Sequence, residues 1–207
     1  DIVISSRIRL ARNLAGHHFL AKATRHQRQV IETRCREAIL QSDLAPQMFY
    51  VDMEQAPELD RMLLVERHLI SRPHAAAEGA RGVAVSADES VSIMVNEEDH
   101  LRLQVLRSGL QLDEAWEQIN AIDDKLESKL DFAFHANYGY LTACPTNVGT
   151  GIRVSVMLHL PALKLCGQIE KFVTAARDAD LTVRGLFGEG TDALGDFYQL
   201  SNQVTLG

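Results

Sequence analysis

The chain predicts the α+β class, an antiparallel sheet covered by helices, and three observations carry the prediction. Two five-residue apolar runs, Gly82–Ser86 and Val91–Val95, are separated only by Ala87-Asp88-Glu89-Ser90, a hairpin turn. Further strand-like runs open and close the chain. Between them lie helical patterns placed so that strands follow one another in hairpin order with helices inserted, not in strict strand–helix alternation. With 207 residues, of which 46% are hydrophobic, one large domain or at most two small ones can enclose a substantial core.

Ile2-Val3-Ile4 reads as a strand feeding a polar, arginine-bearing turn at Ser5-Ser6-Arg7-Ile8-Arg9. Residues 23–44 turn helical, with Val30, Ile31, Cys35, Ala38 and Ile39 at three- and four-residue spacings. A second helix is expected over 57–70, with Leu59, Met62, Leu63 and Leu64 on one side. The stretch 71–81, with Pro73, three alanines and Gly79, reads as a loop. After the hairpin, His100 to Leu106 continues as a third strand. Leu112, Ala115, Trp116, Ile119, Ile122, Leu126 and Leu130 trace a helix of about five turns, and Trp116 on that stripe is expected in the core. A third long helix is expected over 163–179, weakened by Gly167. Short strands at 182–186 and 197–204 close the chain.

Composition excludes some functions. A net charge of −7 argues against a nucleic-acid surface. No apolar run approaches the roughly 18 residues of a membrane span, and no signal peptide is expected. Three cysteines without a C-x-x-C pair fit a reducing compartment, so a cytoplasmic location is expected. Cys35 and Cys166 sit on helix stripes and are read as small buried hydrophobes.

The densest chemistry lies in Cys144-Pro-Thr-Asn-Val-Gly-Thr-Gly-Ile-Arg153. Gly149 and Gly151 allow backbone N–H groups to converge on an anion, and Arg153 supplies a fixed positive charge. A lone G-x-G is more often a tight surface turn, but this one has company. Asn96-Glu97-Glu98-Asp99-His100-Leu101-Arg102 sets three consecutive carboxylates beside a histidine and an arginine. Five arginines, Arg7, Arg9, Arg102, Arg153 and Arg184, fall on or beside such segments, and Arg7 and Arg9 share one side of an extended chain. Singly, each reads as a solvated charge. Neither G-x-x-x-x-G-K-[ST] nor a strand-borne G-x-G-x-x-G is present.

Together with Arg184-Gly185-Leu186-Phe187-Gly188-Glu189, these segments resemble the catalytic domain of the ATP:guanidino phosphotransferases, and most nearly the bacterial protein arginine kinases. The likeness runs over nearly the whole chain, so 1–207 is expected to be one such domain. The family's small N-terminal helical domain is expected to be absent, and a C-terminal region tied in the relatives to dimerisation is expected to lie outside the sequence. The resemblance implies ATP as phosphoryl donor. Its phosphates are expected on the five arginines, with nucleotide contacts along Ser5, Ser6, Arg7, Ile8 and Arg9, along Arg153, Val154, Ser155, Val156 and Met157, and along Arg184, Gly185, Leu186, Phe187 and Gly188. His68 is expected to add a further contact. The resemblance places the catalytic base at Glu98 and a second guanidinium-gripping carboxylate at Glu189. Cys144 is assigned substrate positioning and electrostatic tuning. Mg²⁺ is implied by the phosphoryl transfer and is expected on phosphate oxygens and water, because the sequence offers no protein cage and His17-His18 is not a ligand spacing.

Phe187 stands where the small-molecule kinases of the family carry a second arginine. The expected acceptor is therefore arginine presented on a protein. A free guanidino compound is the alternative, and a non-catalytic nucleotide-binding adaptor is a third reading that retention of Glu98, Glu189, Cys144 and all five arginines disfavours.

Overall fold

The computed structural model describes residues 2–185 and 194–205. Along the chain run β1 (Val3–Arg12), α1 (Arg25–Leu40), β2 (Met48–Asp52), α2 (Glu58–Glu66), α3 (Arg72–Ala76), β3 (Gly82–Ser86), β4 (Val91–Val95) and β5 (Leu101–Ser108). There follow α4 (Leu112–Glu127), β6 (Phe134–His135), β7 (Gly139–Tyr140), β8 (Ile152–His159), α5 (Pro161–Leu165), α6 (Ile169–Asp178), β9 (Leu181–Gly185) and β10 (Phe197–Asn202). Eight strands form one sheet in the order β2-β3-β4-β5-β1-β8-β10-β9. Every pairing in it is antiparallel, as the α+β class requires.

Strand alternation divides the sheet into two unlike faces. On one, Ile8, Leu10, Ile93, Leu103 and Val105 pack against Ile31, Cys35 and Ile39 of α1 and Ala115, Ile119, Ile122 and Leu126 of α4. Helix α1 starts at a capping box, in which Thr24 Oγ1 accepts from Gln27 N–H and the Gln27 side chain accepts from Thr24 N–H. On the other face, α2 and α3 cover only the β3–β4 end, through a smaller cluster of Met53, Leu69, Ile70, Val83, Val85 and Met94. The β5, β1, β8 and β10 part of that face carries polar side chains.

Several expectations change. Ser5 to Arg9 is not a turn but the middle of a ten-residue strand bonded on both edges, because its polar residues alternate with Ile8 and Leu10. The stretch 71–81 contains α3, started by Ser71 Oγ accepting from His74 N–H, with Pro73 in its first turn. The helix expected over 163–179 is two helices, because Gly167 sits at φ +63° and ends the first. Strands β2 and β8 add to the sheet that the sequence reading left incomplete. Trp116 is 43% exposed, on the rim of the α4 stripe and not in the core. Cys166 is exposed just beyond α5, whereas Cys35 is buried as expected and its thiol is pushed up to about 12 by burial.

Candidate active site

Register decides which side chains meet. Arg9 lies opposite Arg153, Arg7 opposite Ser155, and Ala11 opposite Arg102. Gln199 lies between Met157 on one neighbouring strand and Arg184 on the other. Residues paired across antiparallel strands share a face, so Arg7, Arg9, Arg102, Arg153 and Arg184 all belong to the polar face, with Ser5, Ser155 and Met157. The structure does not bring every expected contact there. Ser6, Ile8, Val154 and Val156 alternate to the helix-covered face. Ile8 is core, and the Ser6 hydroxyl donates to Gly109 C=O and accepts from Gln111 N–H. From those four positions only backbone atoms can serve the polar face. Leu186, Phe187, Gly188 and Glu189 lie outside the described residues, and Gly185 is buried at the end of β9.

The arginines crowd one another. Burial, then Arg102 and Arg153, hold the Arg7 guanidinium down to about 10. Burial, then Arg7, Arg102 and Arg153, hold Arg9 well below the ordinary value, with Glu97 pulling the other way. Burial, then Arg184 and Arg102, lower Arg153, and Cys144 acts in the opposite sense. Their hydrogen bonds are to neutral groups: Arg7 donates to Gln199 Oε1 at 2.6 Å and Ser155 Oγ at 3.3 Å, and Arg153 to Asn202 C=O at 3.3 Å. Among the described residues no carboxylate forms an ion pair with Arg7, Arg9 or Arg153. Converging guanidinium groups partly withdrawn from water form a site for a polyanion, whose charge would relieve their repulsion.

A cavity of about 130 Å³ adjoins this cluster, lined in part by Ser5, Arg7, His68, Ser155, Met157 and Gln199. His68 therefore lies beside the arginine cluster. Its backbone sits at φ +58°, its carbonyl accepts from Gln104 Nε2 at 2.8 Å, and its imidazole is held below the usual range by burial and then Arg7. Gln199, Gln104 and Asn202 were missed by sequence reasoning, since nothing local to them differs from an ordinary strand.

The acidic loop stands at the edge of the same face. Asn96, at φ +60°, donates its N–H to His100 C=O and closes the loop. Glu97 is almost buried. It accepts from Ser71 Oγ at 2.7 Å and from Glu98 N–H at 2.8 Å, and it pairs with Arg102 at 2.9 Å. The Glu98 side chain is 45% exposed and pairs with Arg102 at 3.0 Å. Arg102 therefore sits between the arginine cluster and the two glutamates. Neither Asp99 nor His100 faces outward. The His100 Nδ1 accepts from Leu14 N–H, so Nε2 donates to His18 C=O, and burial drops this imidazole to about 4.

Cys144 is half-buried, with Sγ 3.0 Å from Thr146 Oγ1. The glycines after it do a different task from the one expected. A Cβ on Gly151, at φ +67°, would fall 2.7 Å from both Ala11 O and Arg12 Nη1, and Gly151 C=O accepts from Ala11 N–H. The Gly149 backbone is similarly pressed against Gly139. These glycines let the loop lie flat on β1 and β7 and are not an anion nest.

Among the described residues no three His, Cys, Asp or Glu side chains gather as a metal cage. The polar face offers cationic donors, so a divalent ion fits there only as a companion of phosphate. No described helix is long and apolar enough to cross a membrane.

The profile of the ATP:guanido phosphotransferase C-terminal catalytic domain matches residues 30–207. A protein-arginine kinase of Halothermothrix orenii is 52% identical over 207 residues, 100% of this chain and 59% of its own length. One from Brevibacillus brevis is 53% identical over 213 residues, 100% of this chain and 58% of its own. The chain thus spans less than two thirds of these relatives. The duplicated taurocyamine kinase of Schistosoma mansoni, with bound transition-state-analogue components, superposes with a TM-score of 0.86 at 28% identity, over 100% of this chain and 30% of that one.

Proposed function

The chain belongs to the ATP:guanido phosphotransferases through their catalytic domain, and on that premise we propose that it transfers the γ-phosphoryl group of ATP to the guanidinium of arginine side chains in proteins. The observation that carries the reading is the arginine face, Arg7, Arg9, Arg153 and Arg184, bordered by Glu97, Glu98 and Cys144. The arginines take the nucleotide phosphates and stabilise charge as it spreads over the transferring group. Glu98 orients one guanidinium nitrogen and accepts its proton as the N–P bond forms and the bond from phosphorus to the ADP oxygen breaks. Cys144 sits beside Arg153 and tunes the charge at the acceptor end, and Glu189 is assigned the opposite side of the guanidinium. Mg²⁺ would be held by phosphate oxygens and water and would neutralise phosphate charge, with acidic groups outside that shell.

Relatives at about half identity carry the protein-arginine kinase name, whereas the small-molecule taurocyamine kinase stands at 28%. That contrast favours protein arginine over a free guanidino compound, and the cysteine pattern supports placing the reaction in the reducing cytoplasm. The test is incubation with Mg-ATP and either free L-arginine or a loosely folded arginine-rich protein, reading acid-labile phosphate. Protein arginine should be phosphorylated far more efficiently, with lysine inert. A catalytic efficiency for free arginine equal to or above that for protein would overturn the choice.

A further inference from the structure

We propose that Asp99 is a positioning residue: its carboxylate is the strut that keeps the Cys144 loop in register with Glu98. Glu98 precedes Asp99 in the chain, and Cys144 follows Ala143. The two outward-facing groups therefore flank the two ends of one hydrogen bond, from Ala143 N–H to Asp99 Oδ1, 2.7 Å long. The inference rests on the proposed function only for what the spacing is for; the strut itself is geometry.

Asp99 is completely buried, a costly place for a carboxylate. Its Oδ1 collects Asn13 Nδ2 at 2.6 Å as well as Ala143 N–H, lengths typical of charge-assisted bonds. Asn13, at the end of β1, completes a ring. It accepts from His100 N–H at 2.9 Å on the acidic loop and donates to Leu141 C=O at 3.1 Å on the cysteine loop. Among the described residues, the Asp99–Ala143 bond is the only direct hydrogen bond joining 96–100 to 141–148. The loop's other bonds lead elsewhere: Leu141 N–H to Ala133 C=O, and Thr205 Oγ1 to Thr146 and Val148 C=O. Among the described residues Asp99 Oδ2 has no hydrogen-bond partner, so Oδ1 alone carries the link between the two loops. A displacement of about 1 Å between acceptor-handling groups can cost on the order of 100-fold in rate. That is the penalty the strut avoids.

The experiment compares Asp99→Ala and Asp99→Asn with the parent by iodoacetamide alkylation, resolved by peptide mass spectrometry. Cys35, buried, reports folding, and Cys166, exposed, reports general reactivity. Asp99→Ala should change the Cys144 rate by roughly fivefold or more while Cys166 keeps the parent's rate. Asp99→Asn, whose amide oxygen can still accept both bonds but without charge, should fall between Ala and parent. Phosphoryl transfer should follow the same order, with turnover in the Ala variant down about 10- to 100-fold and KM for ATP within about threefold. Parent-like Cys144 rates in both variants overturn the proposal. So does an equal shift in both, which would mark a through-space charge effect. If Asp99→Ala exposes Cys35, Asp99→Ser, too short to reach Ala143, takes its place in the same comparison. Alkylation needs no substrate, so it still decides if the parent transfers no phosphate, the result that would defeat the functional reading alone.

Discussion

Arg9 and Arg12 lie three residues apart on β1 and point to opposite faces of the sheet, and their surroundings could hardly differ more. Arg12 is almost completely buried and fully matched. Asp123 accepts from it at 2.6 Å in a two-pronged pair, Thr150 and Ala11 carbonyls accept from Nη1, and the Tyr140 ring lies 3.6 Å from its carbon centre. Arg9 faces Arg153 across the strand, with Arg7, Arg102 and Glu97 as its other charged neighbours, and burial and then the three arginines hold its guanidinium well below the ordinary value. One arginine is neutralised by the fold and ties the Gly149–Gly151 loop to β1. The other has no ion-pair partner among the described residues, only the more distant pull of Glu97 against three arginines, so a bound anion would relieve it. A buried charge with its counter-charge is architecture, whereas a gathering of like charges on a sheet face is a binding site. Arg102 lies between the extremes, facing the site but engaged by Glu97 and Glu98.

The largest effect is expected at Glu98, one of the two carboxylates that engage Arg102. Glu98→Gln should keep nucleotide affinity while phosphoryl transfer falls about 10²–10⁴-fold, as loss of a general base does. Near-parental turnover would remove Glu98 from the role and leave its pairing with Arg102 merely structural. Next comes Arg12→Met, which leaves Asp123 buried without its partner and should cost about 3–5 kcal/mol of folding stability in denaturant unfolding. Arg9→Met should do the reverse: stability unchanged or raised, since a repelled cation is removed, but ATP affinity weakened by roughly 10- to 100-fold, the loss of one charge-assisted contact. If the two substitutions gave the same pattern, the distinction between the arginines would fail.

A smaller effect belongs to pH. Burial drops His74 and His100 from the ordinary 6.5 to about 4. A lowered folded value means the stabilising contribution is complete above pH 6.5 and lost as pH falls toward 4, because the unfolded chain takes up protons the fold refuses. Each histidine steepens the acid limb by at most about 1.4 kcal/mol per pH unit. Asp99 and Asp123, raised from the ordinary carboxylate value chiefly by burial, act in the opposite sense. Replacing His74 by Asn should lessen the acid-limb slope by about one proton in unfolding measured across pH 4–6.5. An unchanged slope would show that His74 titrates normally.

Much of this was legible from residue order. Alternation on β1 placed Arg7 and Arg9 on one side, and the 82–95 hairpin fixed the sheet's direction. The five arginines do share a face. What escaped depends on contacts distant in sequence. Nothing near Arg12 reveals Asp123, 111 positions away, and nothing near Asp99 reveals Ala143. Gly149 and Gly151 drew an anion-binding reading because φ freedom suits both an anion nest and close packing, and only the atoms around a hypothetical Cβ separate the two. Strand β8 went unread because Arg153 and Ser155 were weighed as a motif. They occupy one face of an alternating strand whose other face carries Val154 and Val156.

The central claim is that the open face of the sheet is built for phosphate. Thermal unfolding of the parent protein in a series of adenosine, AMP, ADP, ATP and inorganic tripolyphosphate tests it most directly, since a ligand that binds the folded state raises Tm with its affinity. The account predicts that Tm climbs with the number of phosphates, that tripolyphosphate alone stabilises, and that the gain shrinks with added salt. Equal shifts for adenosine and ATP, or no shift with tripolyphosphate, would contradict it.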